Sequence, residues 1–147
     1  MQKLRARRGT IGADNFFKMN KSNKPTSAEL EILGVLWERK KATVREIYEV
    51  LSAREKPMVY TTVLKLLQIM DEKGLVERDK QTKAHVYHAR QPQAEVQKNL
   101  VSDLLEKAFR GSALKLVQHV LETKPASAEE LAEIRRLIAE AEENLEN

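Results

Sequence analysis

With 147 residues, 41% of them apolar and only 5% aromatic, the chain has the make-up of one domain, or of one small domain with an appendage, packed by Leu, Ile and Val. Five Gly and four Pro disfavour a turn-rich all-β fold, and the absence of Cys excludes a disulfide framework and a thiolate metal site. The net charge of +4 is unevenly distributed: residues 1–24 hold seven Lys/Arg against one Asp, residues 25–90 twelve against ten acids, and residues 91–147 seven against eleven.

The arm MQKLRARRGTIGADNFFKMNKSNK is basic and lacks the apolar centre of a secretory signal. Residues 1–25 read as a disordered leader that can add nonspecific affinity for phosphates. Met19 opens a second candidate start, MNKSNKPTSAELEIL. No apolar run approaches the roughly 20 residues needed to cross a bilayer. The expectation is a soluble, cytoplasmic protein without membrane insertion.

Three capping boxes mark helix starts, with Thr26 before Glu29, Thr43 before Glu46 and Ser127 before Glu130. The first opens SAELEILGVLWERK, with Leu30, Leu33 and Trp37 on one face. The second opens VREIYEVLSAR, where Val44, Ile47, Tyr48 and Leu51 keep helical spacing. Pro57 closes the link to a third helix, in which Val59, Val63, Leu66, Leu67 and Met70 share a narrow sector. Thr61, Lys65 and Gln68 project almost opposite, and Thr62 and Leu64 take the flanks.

Gly74 ends that helix. LVERD and AHVYHA then read as two short strands joined by the polar turn KQTK. Three short helices and a basic-tipped hairpin have the order of a winged helix-turn-helix over residues 26–90. The fold class expected is mainly α with a small β-hairpin wing, followed by a three-helix C-terminal dimerisation domain over residues 91–147.

In that second part, AEVQKNLVSDLLEKAF aligns Gln97, Leu100, Val101, Leu104, Leu105 and Ala108 before Gly111 breaks the stripe. Leu114, Val117, Val120 and Leu121 continue it, and Leu131, Ile134, Ile138, Ala141 and Leu145 form a short heptad seam. About 50 residues make a marginal independent domain. A second copy is the economical cover for these stripes, which makes Leu100, Leu104, Leu105, Val117, Val120, Leu131, Ile134 and Ile138 candidate dimerisation residues.

An enzyme is not expected. Five scattered glycines supply no phosphate loop, Cys nucleophiles are absent, and the carboxylates alternate with Lys and Arg as on solvated helix faces. On a strand, His85 and His88 fall on opposite faces, which argues against joint metal ligation and leaves a wing histidine as a candidate hydrogen-bond donor to a phosphate oxygen. His119 lies beside an apolar stripe. No cofactor and no metal are expected.

The third helix is the place where chemistry concentrates. Hydroxyls, an ammonium and an amide are the groups that read base edges and phosphates. Thr offers a hydroxyl and a methyl, Lys65 reaches a guanine edge or a phosphate, and Gln68 can bond adenine. The hairpin with Arg78, Lys80 and Lys83 follows directly. These residues point to double-stranded DNA, with the start of the helix entering the major groove. The alternative is a winged-helix protein-interaction module without operator binding, which would carry an acidic or apolar exterior there.

Taken together, PTSAELEILGVLWERKKATVREIYEVL, YTTVLKLLQIMDEKGLVERDK and GSALKLVQHVLE resemble the penicillinase-repressor family (BlaI/MecI/CopY type) over roughly residues 25–140. The resemblance implies a homodimeric repressor on palindromic operators overlapping promoters, with base-reading positions at Thr61, Thr62 and Lys65. Tyr60, Arg78 and Lys83 become candidates for phosphate or flanking contacts, and a membrane sensor metallopeptidase becomes a candidate partner. Two departures limit the transfer. The family's cleaved Asn-Phe bond aligns with His119-Val120, which withholds cleavage and β-lactam induction from what the resemblance implies. The Cys-rich copper motif has no counterpart in a chain without Cys.

Overall fold

The computed structural model describes residues 24–147, so residues 1–23 of the basic arm, with the candidate start at Met19, lie outside the described residues. The chain divides into two compact units, with the boundary between Gln97 and Lys98.

The first unit opens with α1 (Ser27–Arg39). Thr26 Oγ1 accepts from the Glu29 N–H at 3.2 Å while the Thr26 N–H donates to Glu29 Oε1 at 2.9 Å, so two otherwise orphaned donors are satisfied. Lys40 ends the helix at φ 72°, and the two-residue strand β1 (Ala42–Thr43) follows. Thr43 and Glu46 repeat the capping box at the start of α2 (Val44–Ser52). The Thr43 N–H and hydroxyl hold the Glu46 carboxyl below its usual pKa, with Arg39 helping.

Next comes α3 (Tyr60–Lys73), closed by Gly74 at φ 82°, whose N–H donates back to the Asp71 and Met70 carbonyls. That left-handed turn costs a side-chain-bearing residue roughly 1–2 kcal/mol, which accounts for glycine here. It sends the chain into β2 (Val76–Asp79) and back through β3 (Val86–Ala89). The antiparallel sheet has the order β1-β3-β2, with Ala42 opposite Tyr87 and Arg78 opposite the other side of Tyr87. A three-stranded sheet thus replaces the simple hairpin of the sequence reading. Two residues are too short for alternation to reveal β1.

The core joins Ile32, Leu33, Leu36, Ile47, Leu51, Val63, Leu67, Met70, Val76 and Tyr87. Burial raises the Tyr87 phenol pKa. α1 contributes more than the expected stripe: Ile32, Val35 and Leu36 are buried, while Leu30 and Trp37 are only partly so. The helix is enclosed by α2, α3 and the sheet together, so one-sided amphipathicity understates it. Glu29 is also buried, at 2% exposure, and meets Lys73 Nζ at 2.7 Å. This ion pair ties the start of α1 to the end of α3.

The boundary falls within α4 (Gln93–Phe109), whose early residue Val96 is buried. Arg110 and Gly111, both at positive φ, turn the chain into α5 (Ala113–Thr123), and α6 (Ala128–Glu146) ends it. Ser112 and Ser127 cap these two helices by accepting from the Lys115 and Glu130 N–H groups. Neither α5 nor α6 has a buried residue.

Candidate nucleic-acid interface

One side of α3 is built into the core through Val63, Leu67 and Met70, and this fixes what the other side presents. Thr61, Lys65 and Gln68 are all exposed, as the periodicity predicts. The flanks differ from each other. Thr62 is exposed, whereas Leu64 is half-buried against the core. The exposed row therefore widens toward Thr62.

Val59 departs from the sequence reading. It lies outside the helix as the N-cap, 60% exposed, instead of opening the buried stripe. Extended backbone at Val59 (φ −83°, ψ 158°) takes it off the 100° helical rotation on which the stripe was drawn. Its side chain has no capping oxygen, and its carbonyl accepts from the N–H groups of Thr62 and Val63 at 3.1 Å. Tyr60, the first helical residue, packs edge-on against Tyr48 of α2, with ring centroids 5.6 Å apart, and Arg45 of α2 comes over its ring. Periodicity within single helices carries no signal of this meeting.

The wing turn between β2 and β3 is exposed throughout, from Lys80 to His85. Asp79 Oδ1 accepts from the Gln81 N–H at 2.9 Å, and the Thr82 hydroxyl donates to the Ala84 carbonyl at 3.0 Å. These bonds fold the turn on itself and leave Lys80 and Lys83 at its tip. Arg78 is exposed on β2. His88 faces Glu77 at 3.2 Å, and Arg90 joins the same carboxylate at 3.4 Å. An open cleft of about 1240 Å³ runs along this part of the sheet, with Arg39, Lys40, Lys41, Lys80 and Arg90 among its basic lining residues. Among the described residues, no group of three or more His, Asp or Glu could hold a metal ion.

In the second unit, Leu104, Val117, Val120 and Ile138 are exposed, and Leu100, Leu105, Leu131 and Ile134 are half-buried. Leu114 is more open still, at 78%. His119, beside Val120, lies on the surface of α5, with its ring 5.8 Å from that of Phe109. No helix of the described residues is long and apolar enough to cross a membrane.

Comparison with known proteins agrees with this architecture. The chain is 34% identical over 116 residues to the transcriptional regulator BlaI of Mycobacterium tuberculosis, covering 78% of this chain and 82% of that protein. It is 24% identical over 119 residues to the methicillin resistance regulatory protein MecI of Staphylococcus aureus, covering 81% and 96%. The MecI protein of Mammaliicoccus sciuri matches to the same extent. Residues 25–140 match the penicillinase repressor family across both compact units, and the chain belongs to that family.

Proposed function

We propose that the protein is a DNA-binding transcriptional repressor, not an enzyme, and that it acts as a homodimer on a palindromic operator. The observation that carries this reading is the exposed row Thr61, Lys65 and Gln68 on a helix whose opposite side is core, with a lysine-tipped wing following. Relatives named as a transcriptional regulator and as a resistance regulatory protein support it.

The start of α3 enters the major groove, where Thr61 and Thr62 meet base edges or thymine methyls. Lys65 takes a guanine edge or a phosphate, and Gln68 reads adenine where the helix lies deep enough. Tyr60, Arg78 and Lys83 supply flanking or phosphate contacts. In this reading residues 26–90 are the DNA-binding domain and residues 91–147 the dimerisation domain.

Dimerisation rests on Leu100, Leu104, Leu105, Val117, Val120, Leu131, Ile134 and Ile138, half of which a single chain leaves open to water. Burying one such side chain fully contributes roughly 1.5–3 kcal/mol. Two copies then present their α3 helices to half-sites roughly 34–36 Å apart. The acidic second part, with eleven acids against seven basic residues, faces away from the phosphates. The protein works in the cytoplasm, where a membrane metallopeptidase is a candidate for the partner that relieves repression. With His119-Val120 where the resemblance aligns the family's Asn-Phe pair, cleavage at that bond is not part of this proposal.

The test is genome-wide mapping of bound sites, followed by titration of the recovered fragment at several salt concentrations. A palindrome overlapping promoters, bound with an affinity that falls linearly in log K against log salt, is expected. Absence of any enriched sequence, together with salt-independent binding, would refute the reading.

A further inference from the structure

The five arginines between residues 24 and 97 divide into two groups. Arg39 lies 3.6 Å from Glu46, Arg54 3.9 Å from Glu31, and Arg90 3.4 Å from Glu77. Arg45 and Arg78 have no carboxylate in ion-pair range among the described residues. Arg78 belongs to the wing. Arg45 is on a different element, as the second residue of α2.

The position of Arg45 runs against local preference. The first turn of a helix carries the positive end of its dipole, which favours acids and disfavours cations. Glu46, the next residue, satisfies that preference through the capping box. Arg45 adds an exposed cation at the same end that forms no ion pair of its own, Glu46 being paired with Arg39. Departures of this kind gather at functional sites.

Arg45 is nevertheless held. Its guanidinium carbon lies 5.3 Å from the centroid of the Tyr60 ring. Tyr60 in turn meets Tyr48 at an interplanar angle of 72°, and Tyr48 packs against the core. A continuous line of contacts therefore runs from the core through two aromatic rings to one guanidinium. Tyr60 is also the residue directly before Thr61 and Thr62. A guanidinium laid on an aromatic face still has N–H donors along its edge, in a fork that matches two phosphate oxygens.

Given the reading that α3 lies in the major groove, the geometry points to Arg45 as a phosphate-binding residue. It takes the DNA backbone beside the bases that Thr61 and Thr62 face. Tyr60 is its positioning residue, restricting a long side chain to one orientation. The helix before a recognition helix crosses the backbone in this class of fold, so α2 is on the correct side of the duplex.

The test uses the full chain, the promoter fragment recovered by site mapping, and a scrambled duplex of equal length. Losing one phosphate contact per protomer removes two from a dimer. The Arg45→Ala slope of log K against log salt should therefore be shallower than the parent's by about 1.8. Equivalently, the variant's deficit shrinks about 12-fold between roughly 50 and 200 mM salt. The deficit is the same on both duplexes, because a phosphate carries no sequence information.

Arg45→Lys keeps the charge and restores the slope but not the full affinity. Tyr60→Leu removes the ring and lowers affinity with the slope retained, and it lowers affinity by less in the Arg45→Ala background than in the parent. An Arg45→Ala slope equal to the parent's, or a deficit confined to the operator, overturns the assignment of Arg45. Unchanged affinity in Tyr60→Leu overturns the positioning role. A parent that binds neither duplex overturns the repressor reading itself, a result distinct from an unchanged slope in a parent that binds.

Discussion

Replacing Lys73 with Met tests how α3 is anchored. In the parent, the Lys73 ammonium sits 2.7 Å from Glu29 Oε1 and 3.2 Å from the Lys24 carbonyl. The Glu29 side chain is 2% exposed and that of Lys73 is 17% exposed, so water screens the pair poorly. Methionine fills a similar volume but leaves the carboxylate buried with no cationic partner. Breaking one side of such a pair costs about 3–5 kcal/mol. With a urea m-value of about 1.5 kcal/mol/M, the unfolding midpoint should fall by roughly 2–3 M.

Trp37 is the chain's one tryptophan and lies in the same unit, its indole N–H donating to the Gln91 carbonyl at 2.9 Å. Its fluorescence therefore reports this transition. The double variant Glu29→Gln/Lys73→Met should regain most of the loss, since replacing both members of a buried pair is often close to neutral and Gln keeps the capping geometry. A Lys73→Met midpoint within about 0.5 M of the parent's corresponds to under 1 kcal/mol and would refute the reasoning. So would a double variant no more stable than Lys73→Met alone.

Three further outcomes are expected. Lys65→Ala should weaken operator binding by about 1–3 kcal/mol if the ammonium reads a base. Its stability should stay within about 0.5 kcal/mol of the parent's, because the site is exposed; equal operator affinity argues against α3 as the reading helix. Leu104→Glu places a charge on a side chain that is 47% exposed in one chain and buried in the proposed dimer. Sedimentation should show a weaker dimer with weaker operator binding, and an unchanged dimer removes this stripe from the interface.

The last outcome concerns pH. Because the folded Glu46 pKa is depressed, its stabilisation is complete above the ordinary value near 4.5 and is lost as the pH falls through the lower, folded one. Thermal melts of the parent and of Glu46→Gln should differ at neutral pH and converge on acidification. A difference that persists in acid contradicts the assignment to charge.

Much of the first unit was legible because the signals were local. Thr26 with Glu29 and Thr43 with Glu46 form both halves of the capping boxes, and Gly74 ends α3 in the left-handed turn expected of it. At Ser127 the hydroxyl half of the box is present. The exposed row of α3 followed from one rotation rule, since the buried stripe and its opposite face are set by the same 100° step. Val59 fell outside that rule because a residue just before the first turn does not share the helical rotation.

By itself, the sequence determined the capped starts of α1, α2 and α6, the glycine end of α3, which face of α3 meets water, and that the second part carries apolar stripes. Each of these depends on residues within a few positions of one another. Tertiary structure alone decided the pairing of β1 with β3, the burial of Glu29 against Lys73, and the enclosure of α1 on several sides. It also brought Arg45 over Tyr60. Arg45 with Tyr60, Glu29 with Lys73 and Ala42 with Tyr87 join residues 15 to 45 positions apart, at distances set by how the elements pack and not by any period along the chain.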